Sequence, residues 1–157
     1  MNSKTVIVGV GNEFRSDDAV GLICIRKLRE ILNKGNNNIF LFENNGNLLN
    51  LLTFVEPTDR FFLIDAAQSS NLNDIGKIIK ITLDTIEKLE EVNLYSSHSI
   101  NIREFLILAQ TLNRLPRKGS IIVIFANNFN FGTELSNNVK MAINSVTDMI
   151  LNEIGQN

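Results

Sequence analysis

Three side chains in this sequence could together bind a metal ion or move protons: Asp18, Asp65 and His98. Asp18 lies in the loop that follows the first predicted strand, Asp65 comes directly after an apolar run, and His98, the only histidine, precedes a predicted helix. Two carboxylates and one imidazole suit a divalent first-row metal, with coordination positions left open for water or substrate. We therefore predict a site at which all three converge, and only the fold can bring them together.

Each of these residues also has an ordinary structural interpretation. Asp18 and its neighbour Asp17 could cap the helix that follows and interact with its positive end. Asp65 could hold the next turn through nearby backbone amides, although a carboxylate in so apolar a segment is costly unless it is paired or bound. A lone histidine such as His98 is more often an ordinary polar residue than a ligand. Both interpretations stay open at this stage.

Other chemistries have weaker support. Cys24 lies on the apolar face of a predicted helix, and a buried thiol without a cationic neighbour is inert. Ser97 and Ser99 flank His98, but neighbours in sequence seldom have the geometry for proton transfer to a base, and no GxSxG nucleophile motif is present. In the first glycine-rich loop, Phe14 stands where a dinucleotide fingerprint needs its third glycine. We therefore expect no organic cofactor.

Short apolar runs alternate with segments of helical period, which is typical of a sheet covered by helices. The predicted strands are Thr5–Val10, Ile39–Phe42, Phe61–Ile64, Lys77–Thr82 and Ser120–Phe125. The predicted helices are Asp17–Asn33, Leu48–Val55, one capped by Ser99 and one marked by Leu135 and later apolar residues. In the helix capped by Ser99, one predicted buried face carries Ile102, Phe105, Leu106, Ala109 and Leu112.

This order of elements predicts an α/β fold: a three-layer, open, twisted and mostly parallel sheet, flanked by helices on both faces. The lysines of the run at Lys77–Thr82 are typical of an edge strand, because charge discourages pairing with another chain. In open α/β sheets, ligands bind beyond the carboxyl ends of the parallel strands. The loops that carry Asp18, Asp65 and His98 are expected at that edge.

Length and composition narrow the class of protein. The 157 residues, of which 44% are hydrophobic, suit a single domain over residues 1–157. A net charge of -2 gives no sign of the positively charged surface that binds nucleic acid or an anionic membrane. The N-terminal segment has no apolar stretch long enough for a signal peptide or a membrane span. We expect a cytoplasmic protein, monomeric, that binds neither nucleic acid nor membrane.

The first loop carries a resemblance to a known family. Gly11-Asn12-x-x-Arg15-x-Asp17-Asp18-x-x-Gly21 resembles the signature of the nickel-iron hydrogenase maturation endopeptidases. The resemblance continues along the chain through Asp65-Ala66, Ser97-His98-Ser99, Leu106-x-Leu108-Ala109 and Phe131-Gly132-x-Glu134-Leu135-Ser136-x-x-Val139. Several motifs in the right order and spacing are more specific than any one of them.

The resemblance implies a twisted sheet flanked by helices and an endopeptidase activity. Members of this family remove a short C-terminal peptide from the precursor of a hydrogenase large subunit after nickel insertion. By position, Asp18, Asp65 and His98 match the family's metal-binding residues. The resemblance also implies that the metal is nickel held transiently by the substrate, rather than a permanent catalytic ion.

Two loops depart from the family pattern. After the second strand, where an Asp and a Gly-Thr or Gly-Gly pair are usual, this chain has Glu43-Asn44-Asn45-Gly46-Asn47. After the last central strand, where Gly-x-Glu-Pro is common, it has Phe125-Ala126-Asn127-Asn128. Loops set partner choice more than chemistry. The departures therefore bear on which hydrogenase is processed more than on the activity.

Three rival functions stay open at this stage. A nickel sensor or docking factor would bind the loaded precursor and leave cleavage to another protein. A phosphorylatable receiver domain also groups acids at strand ends, but it needs a lysine after the last strand, where this chain has Phe125-Ala126-Asn127. A related metal-binding peptidase, such as a spore-protease relative, would act on another substrate.

Overall fold

A computed structural model describes residues 3–32, 38–84 and 98–155 of the chain. Its strands are β1 (Thr5–Val10), β2 (Ile39–Asn44), β3 (Arg60–Gln68), β4 (Ile78–Thr82) and β5 (Lys118–Ala126). Its α-helices are α1 (Val20–Ile31), α2 (Ser99–Thr111) and α3 (Asn137–Gly155), and short 3-10 helices form at Ser16–Ala19, Leu49–Thr53 and Leu72–Asp74. Ser97 lies outside the described residues.

The strands form a five-stranded sheet in the order β2-β1-β3-β5-β4. Neighbours pair in parallel except β4, which runs antiparallel to β5 at one edge. The predicted mostly parallel sheet is confirmed, and so is the edge position of β4, where Lys80 is exposed. Flavodoxin-like folds, to which receiver domains belong, have the order 2-1-3-4-5, so the strand order does not support a receiver domain.

Helices cover both faces of the sheet, as predicted. On one face, Val20, Cys24 and Val139 from α1 and α3 pack against Phe62 and Ile64 of β3. On the other face, Leu51 and Phe105, from the 3-10 helix and α2, pack against Phe61 and Leu63. Side chains alternate along a strand. The same alternation puts Asp65 on the face that α2 covers.

Two glycines let α1 cross the sheet at close range. A Cβ on Gly9 of β1 would lie 2.0 Å from the carbonyl oxygen of Gly21, in the first turn of α1. A Cβ on Gly21 would lie 2.4 Å from the carbonyl oxygen of Val10 and 2.6 Å from that of Ile64. Such contacts leave no space for a side chain. The close crossing fixes the loop between β1 and α1, which carries Asp18, above the carboxyl ends of the strands.

Three local predictions need correction. The helix predicted from Asp17 begins with the 3-10 turn Ser16–Ala19, and the α-helix starts at Val20. His98, not Ser99, occupies the N-cap position of α2. Leu112 is 55% exposed instead of buried, because α2 ends one residue earlier, at Thr111.

None of the described helices is both long and apolar enough to cross a lipid bilayer.

Candidate functional site

Asp65 lies inside a strand, and the prediction that β3 ends at Ile64 is wrong. Pairing of β3 with β5 continues to Gln68, whereas the pairing of β1 with β3 ends at Gly9 and Ile64. Asp65 is therefore the first residue of β3 that pairs with β5 but no longer with β1. The residue is 1% exposed, and its Oδ1 accepts a hydrogen bond of 2.9 Å from the amide of Ala66. Asp65 thus bonds a nearby amide, but it does so within the strand, and the predicted turn after Ile64 is wrong.

Asp18 is buried in the loop above the end of β1. Arg15 occupies the N-cap position of the 3-10 turn and Ala19 that of α1, so Asp18 is not the N-cap residue of either helix. Asp18 Oδ2 instead accepts a hydrogen bond of 3.1 Å from the amide of Asn12. The same oxygen lies 3.4 Å from Nε2 of His98. The loop backbone therefore holds this carboxylate against the imidazole.

Asp17, next to Asp18, has a structural role. Its carboxylate accepts hydrogen bonds from the amide of Asn128 at 3.1 Å and from the amide of Ser136 at 2.6 Å. The hydroxyl of Ser136 donates to it as well. Ser136 directly precedes α3, so Asp17 supports the N-terminus of a helix distant in sequence, rather than its own. The two neighbouring acids thus face different surroundings, and only Asp18 reaches the histidine.

His98 stands at the N-terminus of α2, on the face of the sheet where Asp65 lies. The residue is 9% exposed. Its Nε2 faces Asp18, and its Nδ1 faces the loop after β2, where a Cβ on Gly46 would lie 2.8 Å away. Gly46 also has a φ of +110°, which L side chains rarely adopt. The sequence predicts that this loop sets partner choice, and no local signal in it indicates the contact with the imidazole.

The negative charges of both predicted carboxylates act on the imidazole. Burial lowers the pKa of His98, but the hydrogen bond to Asp18 and the charges of Asp65 and Asp18 raise it by more. The charge of Arg15 has a smaller, lowering effect, and the resulting pKa lies above the ordinary value of histidine. Asp18 and His98 are thus in contact, and Asp65 lies within electrostatic reach of the ring.

The described ranges contain no group of three or more His, Cys, Asp and Glu side chains that could hold a metal ion. In this structure, Asp18, Asp65 and His98 therefore do not form a ready-made metal cage. The arrangement offers one carboxylate–imidazole pair with a second carboxylate nearby. Such a set could contribute a few ligands to a metal presented from outside, or hold a proton for acid–base chemistry.

Other residues of the first loop give it its shape. Asn12 Oδ1 accepts a hydrogen bond of 3.0 Å from the amide of Phe14, and the Arg15 Nε donates one of 3.2 Å to the carbonyl of Phe129. Arg15 also pairs with Gly132 in a parallel bridge. These contacts join the loop after β1 to the loop after β5. A contact of Asn12 or Arg15 with substrate stays a prediction.

Cys24 is the buried structural thiol that the sequence predicted. The side chain is fully buried in the core beneath α1. Burial raises the pKa of Cys24 to about 12, although the charge of Lys27 lowers it slightly. Since the thiolate is the nucleophilic form, Cys24 is excluded as a nucleophile at neutral pH.

The Asp18–His98 contact can be measured in solution because the chain has only one histidine. Asp18→Asn removes the carboxylate that both bonds and attracts the imidazolium, so the pKa of His98 should fall. The chemical shift of the imidazole Cε1 proton, followed against pH by NMR, gives that pKa directly. Asp148→Asn, on the exposed side of α3, is the matched control and should leave it unchanged. An unchanged pKa in Asp18→Asn would show that the two side chains are apart in solution.

Gly46→Ala should disturb the imidazole of His98 while every predicted ligand residue keeps its identity. The new methyl group would meet Nδ1 of His98 at 2.8 Å, and alanine disfavours a φ of +110°. The ring or the loop must move, so the endopeptidase activity that the resemblance implies should fall by about tenfold or more, which corresponds to about 1.4 kcal/mol of transition-state stabilisation. Initial rates of proteolysis measure the effect. If Gly46→Ala matches the wild-type rate, the fixed position of His98 is not needed.

One protein-family model matches most of the chain. The model of HycI, the hydrogenase maturation protease, matches residues 23–153. The match includes Asp65 and His98, whereas the loop with Asp18 lies before it. A search of curated proteins returns no match.

Solved structures share the fold at low sequence identity. The NiFe hydrogenase maturation protease HybD from Thermococcus kodakarensis is 24% identical with a TM-score of 0.73, over 95% of this chain and 97% of that one. The hydrogenase maturating endopeptidase HybD from E. coli is 19% identical with a TM-score of 0.77, over 97% and 94%. HycI, a NiFe hydrogenase maturation protease from Thermococcus kodakarensis KOD1, is 19% identical with a TM-score of 0.64, over 99% and 94%. From the family model, which spans most of the sequence, the chain belongs to the hydrogenase maturation proteases and is an endopeptidase.

Proposed function

We propose that this endopeptidase removes the C-terminal extension of a nickel-iron hydrogenase large-subunit precursor after nickel insertion, and that Asp18, Asp65 and His98 engage the nickel held in the precursor. The observation that carries the proposal is the 3.4 Å contact between Asp18 Oδ2 and His98 Nε2, which joins residues 80 positions apart. The charge of Asp65 acts on the same ring. Nothing in the packing of a core requires two buried acids beside the only histidine, because such groups are costly to bury.

The separation of the two donor atoms supports shared coordination. Two ligand atoms about 2.1 Å from one first-row cation, at a tetrahedral angle, lie about 3.4 Å apart. Asp18 Oδ2 and His98 Nε2 have this separation. Imidazole suits nickel, and the remaining positions would be filled by soft thiolate ligands of the precursor. An incomplete ligand set on the enzyme therefore fits a metal that arrives with the substrate.

Recognition of nickel would couple cleavage to metal insertion. Contacts with the nickel fix the precursor and bring its C-terminal tail into the site, so that hydrolysis occurs in a fixed geometry. Without nickel, the binding energy that orients the tail is missing. A water molecule adds to the scissile carbonyl, a carboxylate takes its proton as general base, and the proton passes to the leaving amine as the C–N bond breaks.

Membership of a protease family weighs against the rival nickel sensor or docking factor, which would hold the precursor without cutting it. A peptidase with another substrate is the competitor that the comparisons leave in place. It would share the fold and the Asp18–His98 contact, but its activity would not depend on nickel in a hydrogenase precursor.

The test compares nickel-loaded with nickel-free precursor of the hydrogenase large subunit. Wild-type enzyme should remove the tail from the loaded form only, detected as a loss of mass by mass spectrometry. Nickel-free precursor that is reloaded before addition of the enzyme should be cleaved again. Equal cleavage of both forms would contradict nickel recognition, and cleavage of neither would contradict the substrate assignment.

A further inference from the structure

Arg15 brings a positive charge to the site from the side opposite His98. In the sheet, β2 and β5 lie on opposite sides of the pair β1 and β3. His98 packs against the loop after β2, at Gly46, whereas the Nε of Arg15 bonds to the carbonyl of Phe129 in the loop after β5. The loop with Asp18 lies between them, and the charge of Arg15 acts on the imidazole. A peptide bond held at Asp18 would therefore have an imidazole on one side and a guanidinium on the other.

The backbone of the first loop holds Arg15 in place. The Arg15 carbonyl accepts a hydrogen bond of 3.1 Å from the amide of Asp18. The next residue, Ser16, has a φ of +47°, and its amide donates a hydrogen bond of 2.9 Å to the carbonyl of Gly132. A residue other than glycine keeps such a φ only where its surroundings impose it, and residues of this kind cluster at functional sites. The loop thus fixes the start of the Arg15 side chain relative to Asp18.

The guanidinium of Arg15 has donors to spare. A guanidinium carries five N–H groups, and in Arg15 only the one on Nε has a partner among the described residues. No ion pair within those residues involves Arg15. By contrast, Arg26, Arg29 and Arg114 each pair with at least one glutamate. The half-buried side chain of Arg15 can therefore offer both terminal nitrogens to an anion brought by the substrate.

Hydrolysis of a peptide bond creates such an anion. As water adds to the scissile carbonyl carbon and gives a proton to a carboxylate, the electrons of the C=O double bond move to its oxygen. The charge disappears when the C=O bond re-forms, the C–N bond breaks and the amine leaves with the proton. Asp18 and Asp65 would repel this oxyanion. A cation beside it offsets the repulsion and, if it binds the oxyanion more strongly than the neutral carbonyl, accelerates the reaction.

We propose that Arg15 is a catalytic residue whose terminal N–H groups donate hydrogen bonds to the oxyanion formed at the scissile carbonyl. The inference rests on the proposed function for the identity of the substrate. His98 and Arg15 then have separate tasks: the imidazole helps to engage the metal, and the guanidinium stabilises the transition state. The competing role is a ground-state one, in which Arg15 binds a carboxylate of the precursor.

Kinetics with nickel-loaded precursor distinguish the two roles. Arg15→Gln should lower kcat by about 100-fold or more with KM nearly unchanged, because the lost interaction forms only in the transition state. Arg117→Gln, which changes an exposed arginine before β5, is the matched control and should equal the wild type. If Arg15→Gln instead raises KM with kcat unchanged, or has the wild-type kcat/KM, the oxyanion role is overturned.

Chemical rescue separates lost chemistry from lost structure. Guanidinium chloride at a low, non-denaturing concentration should raise the rate of Arg15→Ala by about tenfold, because the free cation can occupy the vacated space. Urea has the same planar shape without the charge and should not raise that rate. Arg117→Ala should respond to neither compound. Absence of rescue, or equal rescue by urea, would contradict the proposal.

A binding experiment keeps the role of Arg15 testable if the proposed function fails. The probe is acetyl-glycyl-glycinamide in which a phosphinate and a methylene group replace the carbonyl and the NH of the central peptide bond. Its tetrahedral anion resembles the hydrolysis intermediate. In NMR titrations that follow the imidazole of His98, wild-type protein and Arg117→Gln should bind the probe about tenfold more tightly than Arg15→Gln.

The two experiments fail in different ways. Wild-type enzyme that cleaves no precursor contradicts the proposed function, and the titrations then decide the role of Arg15 on their own. No binding of the phosphinate, or equal binding by wild type and Arg15→Gln, would overturn that role while cleavage of the precursor by the wild type keeps the proposed function.

Discussion

His98→Ala protein is expected to leave the C-terminal extension on nickel-loaded precursor, with a rate of removal more than about 100-fold below that of the wild type. Substitution of a residue that hydrogen-bonds to a metal ligand typically lowers metal affinity or activity by about 10- to 100-fold. Loss of the ligand itself lowers them further. Removal of the imidazole also leaves the buried Asp18 carboxylate without its ring partner. The measurement is the rate at which the mass of the tail disappears from purified precursor.

Asp18→Asn and Asp65→Asn should give losses of the same order. Each keeps the size of the side chain and one carbonyl oxygen, so the bonds from the amides of Asn12 and Ala66 can persist. What is lost is the negative charge that would face the nickel. Asp148→Asn is the matched control and should keep the wild-type rate. If all three site variants process the precursor at the wild-type rate, the proposed ligand set is wrong.

Gly21→Ala is expected to destabilise the fold by about 2 kcal/mol or more. The added methyl group would lie 2.4 Å from the carbonyl oxygen of Val10 and 2.6 Å from that of Ile64. Neither backbone can yield without separating α1 from the sheet, and overpacking of this kind costs about 1 to 3 kcal/mol or more. In a helix, alanine is more favourable than glycine by about 1 kcal/mol. A net loss of folding stability in Gly21→Ala can therefore come only from the clash.

Urea unfolding measures the effect of Gly21→Ala as a lower midpoint with an unchanged slope. Gly155→Ala is the control, because a Cβ there meets nothing within 4 Å. It should leave the midpoint unchanged or raise it slightly. A Gly21→Ala protein as stable as the wild type would mean that α1 does not cross the sheet at the distance described.

The architecture follows from the sequence because each central strand contains a short apolar run: Val6–Val8, Phe61–Ile64 and Ile121–Phe125. The predicted bounds of β1, Thr5–Val10, match the structure. Strand ends are harder to predict: Asp65 breaks the apolar pattern and marks an apparent end, yet pairing with β5 carries β3 on to Gln68. Where a strand extends past the end of the strand beside it, a polar residue in the extension looks the same in sequence as a residue of a loop.

The site was predictable in its residue types but not in its contacts. The chemistry of Asp18 and His98 is evident from the sequence, and the structure brings the two side chains together. Asp17 has the same residue type as Asp18, but it bonds to Ser136, 119 positions away. No local sequence pattern indicates a contact between residues so far apart. Gly46 was visible as a glycine in a polar loop. Only the fold shows that its missing side chain makes room for the imidazole.

Nickel K-edge X-ray absorption of the enzyme–precursor complex tests the central claim most directly. Nickel-loaded precursor, frozen rapidly after mixing with excess wild-type enzyme, should gain nitrogen or oxygen ligands at about 2.1 Å. His98→Ala enzyme at the same concentration should leave the nickel spectrum closer to that of the free precursor. A nickel spectrum unchanged by wild-type enzyme that goes on to cleave the tail would contradict the claim that Asp18, Asp65 and His98 bind the metal of the substrate.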